Sequence, residues 1–141
     1  LYSGKSSNPD LISDEKFIKM DGRKIYEYAL KNVPLVIQQT LEKSGTDIHD
    51  VKKVLVHQAN GKMDEAILKR LFKLYGIKEA PIEVMPMTIA EFGNSSVATV
   101  PTLLDMILKN KMKDHQINKG DRLVFASVGA GMNINAVVYQ F

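Results

Sequence analysis

Lys52-Lys53-Val54-Leu55-Val56-His57-Gln58-Ala59-Asn60 is the stretch that decides how this chain is read. Val54, Leu55 and Val56 leave no position for solvent, so Lys52 to His57 is predicted as a strand in a sheet covered on both faces. His57 then stands at the carboxyl end of that strand, where open α/β sheets collect ligands. Asn60 is a good N-cap residue, and a helical pattern starts behind it with Asp64 and Glu65 in its first turns. That helix is expected to bury Met63, Ile67, Leu71 and Leu74 and to stop at Gly76.

On the N-terminal side, residues 1–14 are polar, and Ser6-Ser7-Asn8-Pro9-Asp10 carries turn chemistry, so the stretch reads as a loop or linker. Residues 15–141 read as one domain. Asp21-Gly22 marks a turn, followed by a helix with Ile25, Ala29, Val33, Ile37 and Leu41 on one face. Pro34 is expected to kink it, and Ser44-Gly45 to end it.

On the C-terminal side, Ile82-Glu83-Val84-Met85 is predicted as a short strand. Asn94 or Ser95 is expected to cap a third helix that buries Val97, Val100, Leu104 and Ile107, with Pro101 tolerated early in it. Arg122–Ser127 and Ile134–Tyr139 read as two strands joined by Gly129-Ala130-Gly131-Met132-Asn133. Helices alternating with buried strands give an α/β class, with a mixed sheet because the last connection is a short turn.

At 141 residues the chain can bury a real core. A net charge of +3 and a pI near 9.0 fall short of a nucleic-acid-binding signature. No apolar run reaches the roughly 18 residues of a membrane span, and no charged-then-apolar leader argues for secretion. The absence of cysteine excludes disulfides and Cys-ligated zinc and is compatible with a reducing cytoplasm. The first residue is Leu1 rather than Met, a hint that something N-terminal has been removed or is missing.

Three loops could meet at one sheet edge: His57, Gly93-Asn94-Ser95-Ser96, and Gly129-Ala130-Gly131. Imidazole and carboxamide together would make a donor pair for negative charge developing on oxygen. Taken singly, each has a plainer reading. His57 could be a core histidine satisfied by backbone, Asn94 a helix cap, and the glycine turn a tight connection. His49 and His115 read as surface residues, and none of the histidines has zinc-site spacing or carboxylate company. Lys62, Lys69, Arg70 and Lys73 read most simply as a solvated helix face.

Taken together, Val56-His57-Gln58-Ala59-Asn60, Phe92-Gly93-Asn94-Ser95-Ser96 leading to Val100-Pro101, and Val128-Gly129-Ala130-Gly131 resemble the β-ketoacyl-acyl-carrier-protein synthase III family in order and spacing. Met20-Asp21-Gly22-Arg23 and the helix after it fit as well, so the resemblance runs from about Phe17 to Phe141. It implies a thiolase-like fold of two similar halves, this chain being the C-terminal one. In such enzymes a cysteine of the N-terminal half takes an acyl group from coenzyme A. The acyl-enzyme then condenses with malonyl-acyl-carrier protein in fatty acid initiation.

By that resemblance His57 and Asn94 act on the malonyl thioester carbonyl, and the amide of Ala130, in the turn with Gly131, receives the oxyanion of the acyl-cysteine. Met20, Gly22 and Asn60 would line the pantetheine channel. Lys62, Lys69 and Arg70 would meet the carrier protein or coenzyme A, with lysine at 62 where the family commonly has the forked guanidinium of arginine. No cofactor is implied beyond the thioester substrates. The implied partners are acyl carrier protein, coenzyme A thioesters, the cysteine-bearing half and a second copy in a homodimer. After Gly131 the chain departs from the family's Thr-Trp-Gly-like stretch with Asn133-Ile134-Asn135. A carrier-protein-binding module without catalysis, and a sister condensing enzyme of secondary-metabolite or hydroxymethylglutaryl type, are the alternatives.

Overall fold

The computed structural model describes residues 2–141. The segment read as a loop carries a strand, β1 (Tyr2–Gly4), which pairs antiparallel with β2 (Phe17–Lys19). The turn-rich residues between them are the connection of that ribbon. Short, polar β1 has no alternating pattern by which sequence could announce it.

Helix α1 (Gly22–Ser44) begins where Asp21 accepts from the Lys24 amide at 3.2 Å. It buries Ala29, Val33, Ile37 and Leu41. It closes on Gly45, whose φ of 63° is the left-handed conformation that glycine adopts without a Cβ penalty. The helix is continuous across Pro34. Proline cannot donate to the carbonyl four residues back, and that carbonyl, on Leu30, accepts from the Arg70 guanidinium at 3.3 Å instead.

Strand β3 (Val51–Val56) runs parallel to β4 (Arg122–Gly129), which runs antiparallel to β5 (Asn133–Gln140), in the spatial order β3-β4-β5. Val54 and Val56 join Val124 and Ala126 in a core closed by α1 and α2 (Gly61–Leu74). Leu55 points to the other face, where it packs with Leu103 and Ile107 of α4 (Thr99–Leu108). All three residues of the Val-Leu-Val run are buried. The mixed sheet with helices on both faces is as the sequence implied, although on the α4 side Val137 and Tyr139 of β5 remain about half exposed.

Three local expectations are overturned. Ile82–Val84 is a 3₁₀ turn, not a strand, and its segment is tied to β3 by the Lys53 ammonium, which donates to the Glu83 carbonyl at 2.7 Å. Leu74 is 41% exposed because α2 ends there, at the rim of its buried stripe. The third helix starts at Thr99 rather than at Asn94 or Ser95, so Val97 lies on the preceding 3₁₀ turn and is 91% exposed, while Leu103 fills the core position. A one-turn helix α3 (Ile89–Phe92) precedes Gly93 and had no sequence signal.

Candidate active site

The ladder of β3 does not stop at Val56: the His57 amide donates to the Ala126 carbonyl at 2.9 Å, which fixes the imidazole at the carboxyl end of the sheet. The Nδ1–H of His57 then donates to the Ser96 carbonyl at 3.1 Å, because a carbonyl can only accept. Ser96 in turn donates its own amide to Oδ1 of Asn94 at 2.9 Å. Imidazole and carboxamide are therefore held to one residue between them. With Oδ1 taken by the Ser96 amide, the end of Asn94 without a partner among the described residues is its Nδ2, a donor. This Asx turn also corrects the capping expectation: Asn94 caps the bend into Ser96, not α4.

Ser96 adopts a φ of 53°, a costly region for a residue with a Cβ. Its carbonyl also accepts from Thr99 Oγ1 at 3.0 Å, and Thr99 is buried. The strain is thus held by bonds from three sides, at the point where it aligns both candidate donors.

With Nδ1 donating, neutral His57 presents Nε2 as an acceptor. Donation from that nitrogen to substrate requires a second proton on the ring or release of Ser96.

The third loop is present as expected. Gly129 ends β4, a 3₁₀ turn covers Ala130–Met132, and Gly131 takes a φ of 78°. Met132, also left-handed at 62°, has its carbonyl fixed by the Tyr28 hydroxyl of α1 at 2.9 Å. His57, Asn94, Ser96, Gly129, Gly131 and Met132 all line one groove of about 940 Å³. Val97, Val100, Met63 and Val137 make much of its wall apolar.

The other predicted residues divide. Met20 lines the groove together with Asp21 and Lys24, whereas Gly22 and Asn60 are not among its lining residues. Asn60 caps α2, its Oδ1 accepting from the Lys62 amide at 3.0 Å. Lys62 and Lys69 are exposed on α2, while Arg70 is engaged with Leu30 as described. His115 is no free surface group: it lies 3.0 Å from the Lys53 ammonium. Burial and that ammonium hold His115 below the usual histidine range, and burial, then Lys52, lower Lys53.

Three supporting residues escaped the sequence reading. Gln58 is fully buried, donating to the Pro86 carbonyl at 2.9 Å and accepting from the Thr88 amide at 2.9 Å, which pins the segment leading to Asn94. Ser96 could have been suspected from the tendency of Asn to bond two residues onward. Tyr28 had no signal, since its partner lies 104 residues away.

Residues 41–141 match the family described as 3-Oxoacyl-[acyl-carrier-protein (ACP)] synthase III C terminal. The chain belongs to that family. Among synthase III relatives, the protein of Gloeobacter violaceus named β-ketoacyl-[acyl-carrier-protein] synthase III is 38% identical over 116 residues, 82% of this chain and 32% of the relative. Synthase III 2 of Lactiplantibacillus plantarum is 31% identical over 123 residues, 87% of this chain and 34% of its own.

A solved synthase III from Thermus thermophilus superposes with a TM-score of 0.77 at 27% identity, over 94% of this chain and 38% of that one. The fold is accordingly that of a synthase III, thiolase-like C-terminal half. The chain spans about a third to two-fifths of the length of these relatives.

Proposed function

We propose that this chain supplies the decarboxylating half of a condensing active site, with the nucleophilic cysteine on a second, N-terminal half. In the reaction a malonyl thioester loses carbon dioxide, and the electrons of the broken C–C bond form an enolate on the thioester. That carbanion attacks the acyl carbon on cysteine, forming the new C–C bond and releasing the thiolate. Asn94 through Nδ2, and His57 through Nε2 once its ring carries a second proton or Ser96 releases Nδ1, donate to the enolate oxygen, where charge appears only as decarboxylation proceeds. Donors so placed stabilise the transition state more than the ground state.

One observation carries this reading: Ser96 binds both side chains and sets them on one groove, with the donor end of Asn94 left without a partner among the described residues. Gly129 and Gly131, on either side of Ala130, line the same groove, as an acyl oxyanion site would require. Substrates by this reading are acyl-coenzyme A and malonyl-acyl-carrier protein, in fatty acid initiation in the cytoplasm, without a further cofactor. Lys62 and Lys69 would meet the carrier's phosphate, and the complete enzyme would be a homodimer.

The test uses the full-length protein that contains this chain. His57→Ala and Asn94→Ala should each slow malonyl decarboxylation by roughly 10²–10³ while acylation of the cysteine persists. Normal condensation by both variants would overturn the assignment. The 141-residue chain alone should not condense, and activity should return when the cysteine-bearing half is added.

A further inference from the structure

Asp64 is the only fully buried acid among the described residues, and neither of its carboxylate oxygens has a hydrogen-bond partner among them. It stands in the first turn of α2, its amide bonded to the Asn60 carbonyl at 3.0 Å, so one turn of helix separates it from the His57–Asn60 segment. Buried groups of this kind are rare, and an unpaired buried carboxylate is costly.

No counter-charge comes from the elements that pack around α2. The buried face of α1 is Ala29, Leu30, Val33, Pro34 and Ile37, and the 85–89 segment that approaches Gly61 through Ile89 is uncharged. β3 offers Val54 and Val56. The charged neighbours on α2 itself, Lys62 and Glu65, are exposed.

Burial raises the Asp64 carboxyl to about 7, and backbone at Asn60 and Ala59 acts the other way. Near neutrality the group can thus be held as a neutral acid inside the core. Once ionised, it has no counter-charge beside it and only the backbone of Asn60 and Ala59 in its favour, so ionisation favours openings of the first turn of α2 that admit water.

We propose that Asp64 is a positioning residue controlled by its own protonation: as the neutral acid it lets the start of α2 close and holds His57 on the groove, and as the anion it loosens the His57–Asn60 segment. The proposal rests on His57 acting at the groove as described above. It adds a control that neither donor supplies.

The experiment compares full-length wild type with Asp64→Asn, whose side chain has nearly the same shape and no charge at any of these pH values. Malonyl decarboxylation by wild type should fall roughly twentyfold between about pH 6.5 and 8.5, as the neutral fraction of one group titrating near 7 is lost. The Asn variant should lose the part of that alkaline fall that Asp64 sets, leaving at most the part that His57 contributes, and a profile that superposes on wild type would overturn the proposal. Hydrogen exchange of peptide 57–63 in wild type, corrected for the intrinsic pH effect, should quicken across the same window. Exchange that is flat with pH would overturn it even if the variant did not fold. Should wild type fail to decarboxylate at any pH, the reading of His57 and Asn94 falls, and the exchange measurement still decides the role of Asp64.

Discussion

The two faces of the β3-β4-β5 sheet are finished to different degrees. On one, α1 and α2 seal Val54, Val56, Val124 and Ala126 into a core that also takes in Ile37, Leu41 and Leu71. On the other, α4 covers Leu55 but leaves Val137 and Tyr139 of β5 about half exposed beside the groove. The closed face is sealed by apolar packing, whereas the open one leaves apolar side chains exposed. The candidate donors stand at the edge of the open face, where strain at Ser96 is tolerated because neighbouring bonds hold it.

Substitutions should separate the faces in this order. Leu71→Ala, on the closed face and fully buried, is expected to cost roughly 2–5 kcal/mol in chemical denaturation. Val137→Ser, on the open face, should change the stability of this chain by about 0.5 kcal/mol or less. It should instead weaken assembly with the proposed cysteine-bearing half in a pull-down or titration. A large loss of stability from Val137→Ser would mean that this face is already closed.

The smallest effect concerns the far end of the α4 side. Strand alternation puts Lys53 on the same side of β3 as Leu55, with its ammonium against His115. The folded pKa of His115 lies below its usual value of 6.5, so the folded state resists protonation more than the unfolded chain does. Stability from this group is therefore complete above about pH 6.5 and is lost as pH falls through that value toward the folded one. Asp64 has the opposite sign. Its folded pKa, about 7, lies above the usual 3.8, so its contribution is most favourable below 3.8 and is lost as pH rises to about 7. Thermal melts of His115→Gln and of wild type should diverge only on the acid side. Equal slopes there would remove His115 from the account.

Much of this was legible in the residues themselves. The unbroken Val54-Leu55-Val56 run required cover on both faces, and both covers exist. Asn60 caps α2 as its type and place demanded, and Gly45 ends α1 in the left-handed conformation open to it. The short polar strand β1 and the 3₁₀ turn at Ile82–Val84 were not legible, because their backbone is set by partners distant in sequence, Phe17–Lys19 for one and the Lys53 ammonium for the other.

The sequence by itself determined the class of the fold, the strand that carries His57, and the residue types able to stabilise an oxyanion. Local pattern suffices there, since periodicity and capping act within a few residues. Only the tertiary structure decided that Ser96 joins His57 to Asn94, that Arg70 serves the carbonyl orphaned by Pro34, and that Asp64 is buried with no side-chain hydrogen bond among the described residues. Those facts depend on which distant groups meet and how much water is left between them, and no window of neighbouring residues records either.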